Sequence, residues 1–174
     1  DPGALGRLLP GFKPGLKADA SGFHLSIDGL EVTQELRTPE VSRAASLVAK
    51  LPAVRQWVKG HLRHLARDGG VVAEGRDQGT VVFPRAGFKF YLDASLSVRA
   101  LRRQRDWQGD HSPPSLEEIR SDLAARDSQD QAREEAPLRV PPGATVIDTT
   151  DLTVDRVVEL CLQKIGAHTA GAVY

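Results

Sequence analysis

Methionine is missing from this chain altogether, even from position 1, where Asp1-Pro2-Gly3 stands instead. That opening predicts a processed protein or the C-terminal part of a longer one. There is a single cysteine, Cys161, which excludes an intrachain disulfide and makes a reducing, cytoplasmic compartment the default. It sits in the apolar stretch Val157–Leu162 and is expected to be a buried helix residue. No apolar run approaches the roughly 20 residues needed to span a bilayer, and no secretory signal pattern is visible. Net charge is also missing: 23 basic residues balance 23 acidic ones. A chain without a global field holds neither nucleic acid nor an anionic membrane by charge alone. The five histidines, at 24, 61, 64, 111 and 168, lack metal-ligand spacing, so no metal site is assigned to the chain.

What is present is arginine. The cations are 17 Arg against 6 Lys, a bias that fits bidentate anion recognition, though a high-GC codon bias would produce the same excess. The most informative stretch is Val71-Val72-Ala73-Glu74-Gly75-Arg76-Asp77-Gln78-Gly79-Thr80-Val81-Val82-Phe83-Pro84. Its apolar start reads as a buried parallel strand whose C-terminal end opens a site, the usual place for ligands in open α/β sheets. Arg76 offers a planar fork for phosphate and Asp77 an acceptor beside it. Gly75 and Gly79 would let backbone approach a ligand closely. The competing reading is a strand-to-loop turn with an internal ion pair.

At 174 residues the chain is long enough for one domain with a core and a lobe or lid. Residues 1 to about 40 are turn-rich. Phe23–Ile27 alternates like a half-buried strand, Asp28-Gly29 is a hairpin signal, and Leu30–Val32 returns, giving a small antiparallel ribbon. Thr38-Pro39 reads as an N-cap followed by proline at the first helical position. Helices are predicted over 41–49, 53–66 and 97–107, and a capping box, Ser115-x-x-Glu118, opens another. Strands are predicted at Phe88–Asp93 and Ala144–Asp148, a last helix over 154–165, and a frayed tail from 167. Strands alternating with helices argue for a parallel α/β sheet.

Two further blocks supply chemistry. Ser46 and Arg55 lie in SRAASLVAKLPAVR, and Arg126, Asp130 and Arg133 form an R-x3-D-x2-R spacing in RDSQDQAR. Read alone, the second block would be a solvated helix face with i, i+4 pairing. With GRDQGTVVFP, the order and spacing of these blocks resemble bacterial cytidylate kinase, a nucleoside-monophosphate kinase family, over nearly the whole chain. The resemblance implies an α/β fold: a P-loop nucleoside-monophosphate-kinase-like parallel sheet flanked by helices, with the ribbon as a small antiparallel β lobe. It divides a single domain, 1–174, into part of the monophosphate-binding lobe (1–42), core (43–98), lid and substrate helices (99–135), and a core strand with the final helix (136–174).

The same resemblance implies phosphoryl transfer from ATP to CMP or dCMP, with Mg2+ bridging the ATP phosphates. Arg76 would grip the CMP phosphate and Asp77 orient the nucleotide near the base. Arg55 and Arg133 would complete cytosine recognition, while Ser46, Arg126 and Asp130 would hold the ribose hydroxyls and base edge. Arg99, Arg102 and Arg103 fall where these kinases carry a lid, whose arginines stabilise charge on the transferring group; alone they would be a solvated basic helix. The expected partners are small nucleotides, and the family is usually monomeric. One part of the pattern is missing. The donor loop, G-x-x-x-x-G-K-[ST], has no counterpart, because no Gly-Lys dipeptide occurs. The central strand leading to that loop is therefore also expected to be absent, leaving the chain marginal in stability and inactive alone. The alternative is a non-catalytic module that binds nucleoside monophosphates without a donor site.

Overall fold

The computed structural model describes residues 2–19, 22–107, 114–133 and 136–170; the side chains of residues 2, 4, 18, 37, 39, 40, 42, 43, 46 and 167–170 lie outside the description. The chain divides into two compact units, residues 1–71 and 72–174.

The first unit opens with a short helix, α1 (Pro2–Leu8), in a stretch whose turn-rich composition hid it. A three-stranded antiparallel sheet follows, β1 (Pro14–Asp19), β2 (Gly22–Ile27) and β3 (Leu30–Glu31). The expected hairpin is there: Asp28 and Gly29 both take positive φ, 51° and 85°, as a tight two-residue turn between right-twisted strands requires. β1 went unforeseen because Pro14 and Gly15 read as turn residues, yet it pairs with β2 from Pro14↔Ile27 to Asp19↔Gly22. His24 ties the three strands together, with Nδ1 3.0 Å from Glu31 and Nε2 3.2 Å from Asp19. The Glu31 and Asp19 carboxylates hold its pKa above the ordinary imidazole value. Helices α2 (Pro39–Val48) and α3 (Pro52–Leu65) complete the unit. The Val41 N–H donates to Thr38 Oγ1 at 3.3 Å, the cap the sequence announced. Trp57 on α3 packs against Phe12 and stacks on His61, with centroids 5.4 and 5.1 Å apart.

Residues 71–74 correct one expectation. They form no strand, and Val72 is 100% exposed. The apolar run has the composition of a buried strand, but a strand persists only by pairing its backbone. No described strand lies beside this one.

The second unit carries a parallel pair, β4 (Phe90–Asp93) and β5 (Thr145–Asp148), in register from Phe90↔Thr145 to Asp93↔Asp148. The parallel α/β arrangement is thus present as two strands with helices around them. Helix α4 (Leu96–Arg105) follows β4, and α5 (Leu116–Gln131) and α6 (Val154–Ala170) complete the set. Ser95 caps α4, its Oγ accepting the Val98 N–H at 3.4 Å. Ser115 and Glu118 close the capping box on α5, and the Ser115 hydroxyl and N–H, donating to Glu118 Oε2 at 2.7 and 2.8 Å, hold the Glu118 carboxyl below its usual range. The buried apolar side chains among the described residues, Val82, Ala94, Ala100, Ile119 and Ile147, all belong to this unit. Helix α6 continues to Ala170, past the expected end, and Cys161 on it is half-buried rather than buried.

Candidate anion-binding site

Beyond the exposed run, the chain bends at Gly75, whose φ of 152° favours glycine. It then winds into a five-residue π-helical turn, Gln78–Val82. The Asp77 carbonyl accepts from the Val81 and Val82 N–H groups at 2.9 and 3.2 Å, and the Phe83 N–H reaches the Gln78 carbonyl at 2.7 Å. Such turns are rare and concentrate at functional sites. Val82 anchors the turn in the core. Gly79 has a steric reason of its own: a Cβ there would stand 2.8 Å from Pro141 Cγ.

Helix α5 meets Arg76, the residue two before this turn. Its inward stripe starts apolar, with Ile119 and Leu123, and ends in Asp127 and Asp130 at the same helical spacing. Asp130 is 1% exposed. A carboxylate in the last turn of a helix opposes the helix dipole, and burial adds a desolvation cost. Two guanidiniums offset both. Arg76 Nη1 lies 2.5 Å from Asp130 Oδ2, and Arg133 pairs with Oδ1. These are close charge contacts rather than aligned N–H···O bonds, since neither carboxylate oxygen has a well-directed donor. The Leu138 N–H closes the helix end on the Asp130 carbonyl at 2.8 Å.

Asp127, which sequence reasoning passed over, extends the cluster. It lies 2.7 Å from Arg99 Nη1 and 3.7 Å from Arg76 Nη1. The signal was present: Asp127 precedes Asp130 by three residues and so shares its helix face. Among the described residues, three guanidiniums, Arg76, Arg99 and Arg133, thus surround two carboxylates, leaving one positive charge in excess. Both Arg76 ion pairs run through Nη1. Its Nε–Nη2 edge has no hydrogen bond among the described residues, which leaves a fork of donors of the kind that holds phosphate.

The remaining predicted residues make no ion pair with this cluster among the described residues. Arg126 is exposed on α5, and Arg103 is exposed on α4 with no ion pair among the described residues. Arg102 is committed to the chain: it donates to Thr149 Oγ1 at 3.0 Å, the Thr149 carbonyl at 2.5 Å and the Leu152 carbonyl at 3.3 Å. Asp77 contributes its carbonyl to the π turn. Arg55 lies on α3 in the first unit, and so does Ser46 on α2, whose side chain is outside the described residues. A hollow of about 550 Å³ along β5 and α6 shares no residue with the guanidinium cluster. What marks the cluster is its charge and geometry, not concavity.

A parallel α/β unit with an arginine-rich cluster at a turn beyond Gly75 carries the kind of donors that a phosphate-binding class of protein uses. The comparison with known proteins narrows it. The cytidylate kinase family model matches residues 9–167. The chain is 45% identical over 168 residues to the cytidylate kinase of Thermus thermophilus, covering 95% of this chain and 76% of that protein. To the cytidylate kinase of Caldanaerobacter subterraneus subsp. tengcongensis it is 41% identical over 159 residues, covering 90% and 71%. It is also 46% identical over 129 residues to the bifunctional pantoate ligase/cytidylate kinase of Acaryochloris marina, 74% of this chain and 25% of that one. The chain belongs to the cytidylate kinase family.

Proposed function

We propose that this chain serves the transfer of a phosphoryl group from ATP to CMP or dCMP, giving the diphosphate and ADP, as a monomer in the cytoplasm. Its part is the acceptor side of that reaction. The observation that carries the assignment is the buried Asp130 held between Arg76 and Arg133, a costly arrangement for a helix C-terminus that stability alone does not call for. Arg76 grips the acceptor phosphate through its Nε–Nη2 fork, which has no hydrogen bond among the described residues. Arg133 completes recognition of the cytosine, and Arg126 takes the ribose hydroxyls and base edge, with Asp77 orienting the nucleotide; Asp130, buried between Arg76 and Arg133, joins that edge only where the two guanidiniums turn to the ligand. Cytosine pairs an amino donor with an unprotonated ring nitrogen, so a site that selects it needs acceptors and donors together. Carboxylates set among guanidiniums supply both.

Ser46 and Arg55 are assigned to nucleotide recognition on the resemblance alone. So is the division into a lobe over 1–42, core segments, and a lid over 99–135. Arg99 and Arg103 are the lid residues proposed to face the transferring group; Arg102 joins them only if its three bonds to the Thr149 turn open. No helix among the described residues is long and apolar enough to cross a membrane.

ATP would supply the transferred group, and Mg2+ would offset the negative charge of its phosphates. These 174 residues hold no Gly-Lys dipeptide, and no three His, Cys, Asp or Glu side chains converge as a metal site among the described residues. No residue is therefore given a role on the donor.

Calorimetric titration of the purified chain with CMP, and with UMP for comparison, tests the reading. CMP is expected to bind at least tenfold more tightly than UMP, since a buried polar group left unpaired by the wrong base costs about 1–3 kcal/mol. Equal affinities, or no binding by a folded chain, would overturn it. CMP binding without turnover when ATP and Mg2+ are added would favour the non-catalytic module.

A further inference from the structure

We propose that Asp127 is a positioning residue for the acceptor phosphate, a carboxylate shared by Arg76 and Arg99 that fixes the phosphate-gripping guanidinium and ties it to helix α4. The inference rests on the reading of Arg76 as the phosphate ligand and adds a residue to it. Arg99 is itself anchored, because its Nε donates to the Ala94 carbonyl at 3.0 Å where β4 passes into α4. Its Nη1 then meets Asp127 Oδ2 at 2.7 Å, while Asp127 Oδ1 looks toward Arg76 at 3.7 Å. Asp130 holds Arg76 from the buried side. Arg76 is thus steadied on Nη1 by two carboxylates, and its opposite edge has no hydrogen bond among the described residues.

Burial separates the two acids. Asp130 is 1% exposed and Asp127 22%. Asp130 can be removed only by leaving arginines over a hole in the core. Asp127 stands at the rim, where water can replace it, so its main work is orientation rather than support. A long side chain such as arginine gives up considerable rotamer freedom when it binds, and one already ordered gives up less. Arg99 gains by the same contact, since one carboxylate holds it and faces Arg76.

The test uses the full chain with two ligands, CMP and cytidine, which lacks the phosphate. Asp127→Asn removes the charge at constant shape and is expected to weaken CMP about tenfold, the equivalent of one charge-assisted contact. Cytidine affinity is expected to change less than twofold. Asp127→Glu restores CMP binding to within about threefold. Arg99→Gln produces a CMP-selective loss of its own, and Asp127→Asn adds little in that background, because the two residues act as one unit. Equal loss for CMP and cytidine would make Asp127 an ordinary structural residue and overturn the proposal. So would unchanged CMP affinity in Asp127→Asn while the unmodified chain binds CMP. Should Asp127→Asn not fold, Arg99→Gln decides by the same comparison. If the unmodified chain fails to bind CMP, the phosphate-site reading itself falls.

Discussion

Arginine is the residue on which both the stability and the chemistry of this chain turn, and similar guanidiniums do different things. Arg102 and Arg76 are both within reach of oxygen acceptors, but Arg102 meets a hydroxyl and two carbonyls of its own chain. It locks the turn between β5 and α6 onto α4. The Thr149 hydroxyl in turn donates to the Asp93 carbonyl at 2.8 Å, carrying the clamp to the end of β4. Replacing Arg102 by alanine is expected to destabilise the chain by about 2 kcal/mol, since hydrogen bonds from a charged donor are worth about 1.5–3 kcal/mol each and water replaces part of them. Urea unfolding measures it; a change below about 0.5 kcal/mol would return Arg102 to the lid. Sequence could not separate these roles. Arg99, Arg102 and Arg103 share one basic helix, and only the three-dimensional path of residues 149–152 decides which is occupied.

At the scale of elements, local rules carried the reading well where they are self-contained. The Asp28-Gly29 turn, the Thr38 cap and the Ser115–Glu118 box are each decided within four residues, so each was legible. Helix α5 depends on that box, because its inward stripe positions Asp127 and Asp130 at the far end. Ser115→Ala is expected to cost about 1 kcal/mol, the usual worth of an N-cap. The Glu118 partner adds a pH signature. Its hydrogen bonds to Ser115 lower its folded pKa from 4.5. A lowered folded pKa means stability present above pH 4.5 and lost as pH falls through the folded value. Glu118→Gln keeps the hydrogen-bonding pattern without the titration. The drop in unfolding midpoint between pH 7 and pH 4 should therefore be smaller in Glu118→Gln than in the unmodified chain; equal drops would detach Glu118 from the helix. What stayed illegible were the elements set by partners distant in sequence. β1 begins with two turn formers and exists because β2 pairs with it, and the π turn at 78–82 depends on Val82 reaching the core and Gly79 clearing Pro141.

For the whole molecule the informative segment is 69–74, where the two units join. Gly69 and Gly70 both take positive φ, 78° and 66°, ending the turn that follows α3. Val71 to Glu74 then run exposed without a neighbouring strand among the described residues. The sequence argued for burial here because two valines and an alanine before an acid have the composition of a parallel strand, and composition was a sound guide to preference. It could not supply the partner, which strand formation needs and which lies outside any local window. The two statements make opposite predictions for proteolysis, which requires an accessible backbone that can be drawn into an extended conformation. Thermolysin, which cuts before bulky apolar residues, should cleave first at Val71 or Val72 and leave fragments close to 1–71 and 72–174. Mass spectrometry of the earliest digestion products identifies the site. Cleavage there fits a chain in which these valines are uncovered. A segment that resists while other exposed sites are cut would show that it is covered in solution, and the composition would then have read its environment correctly.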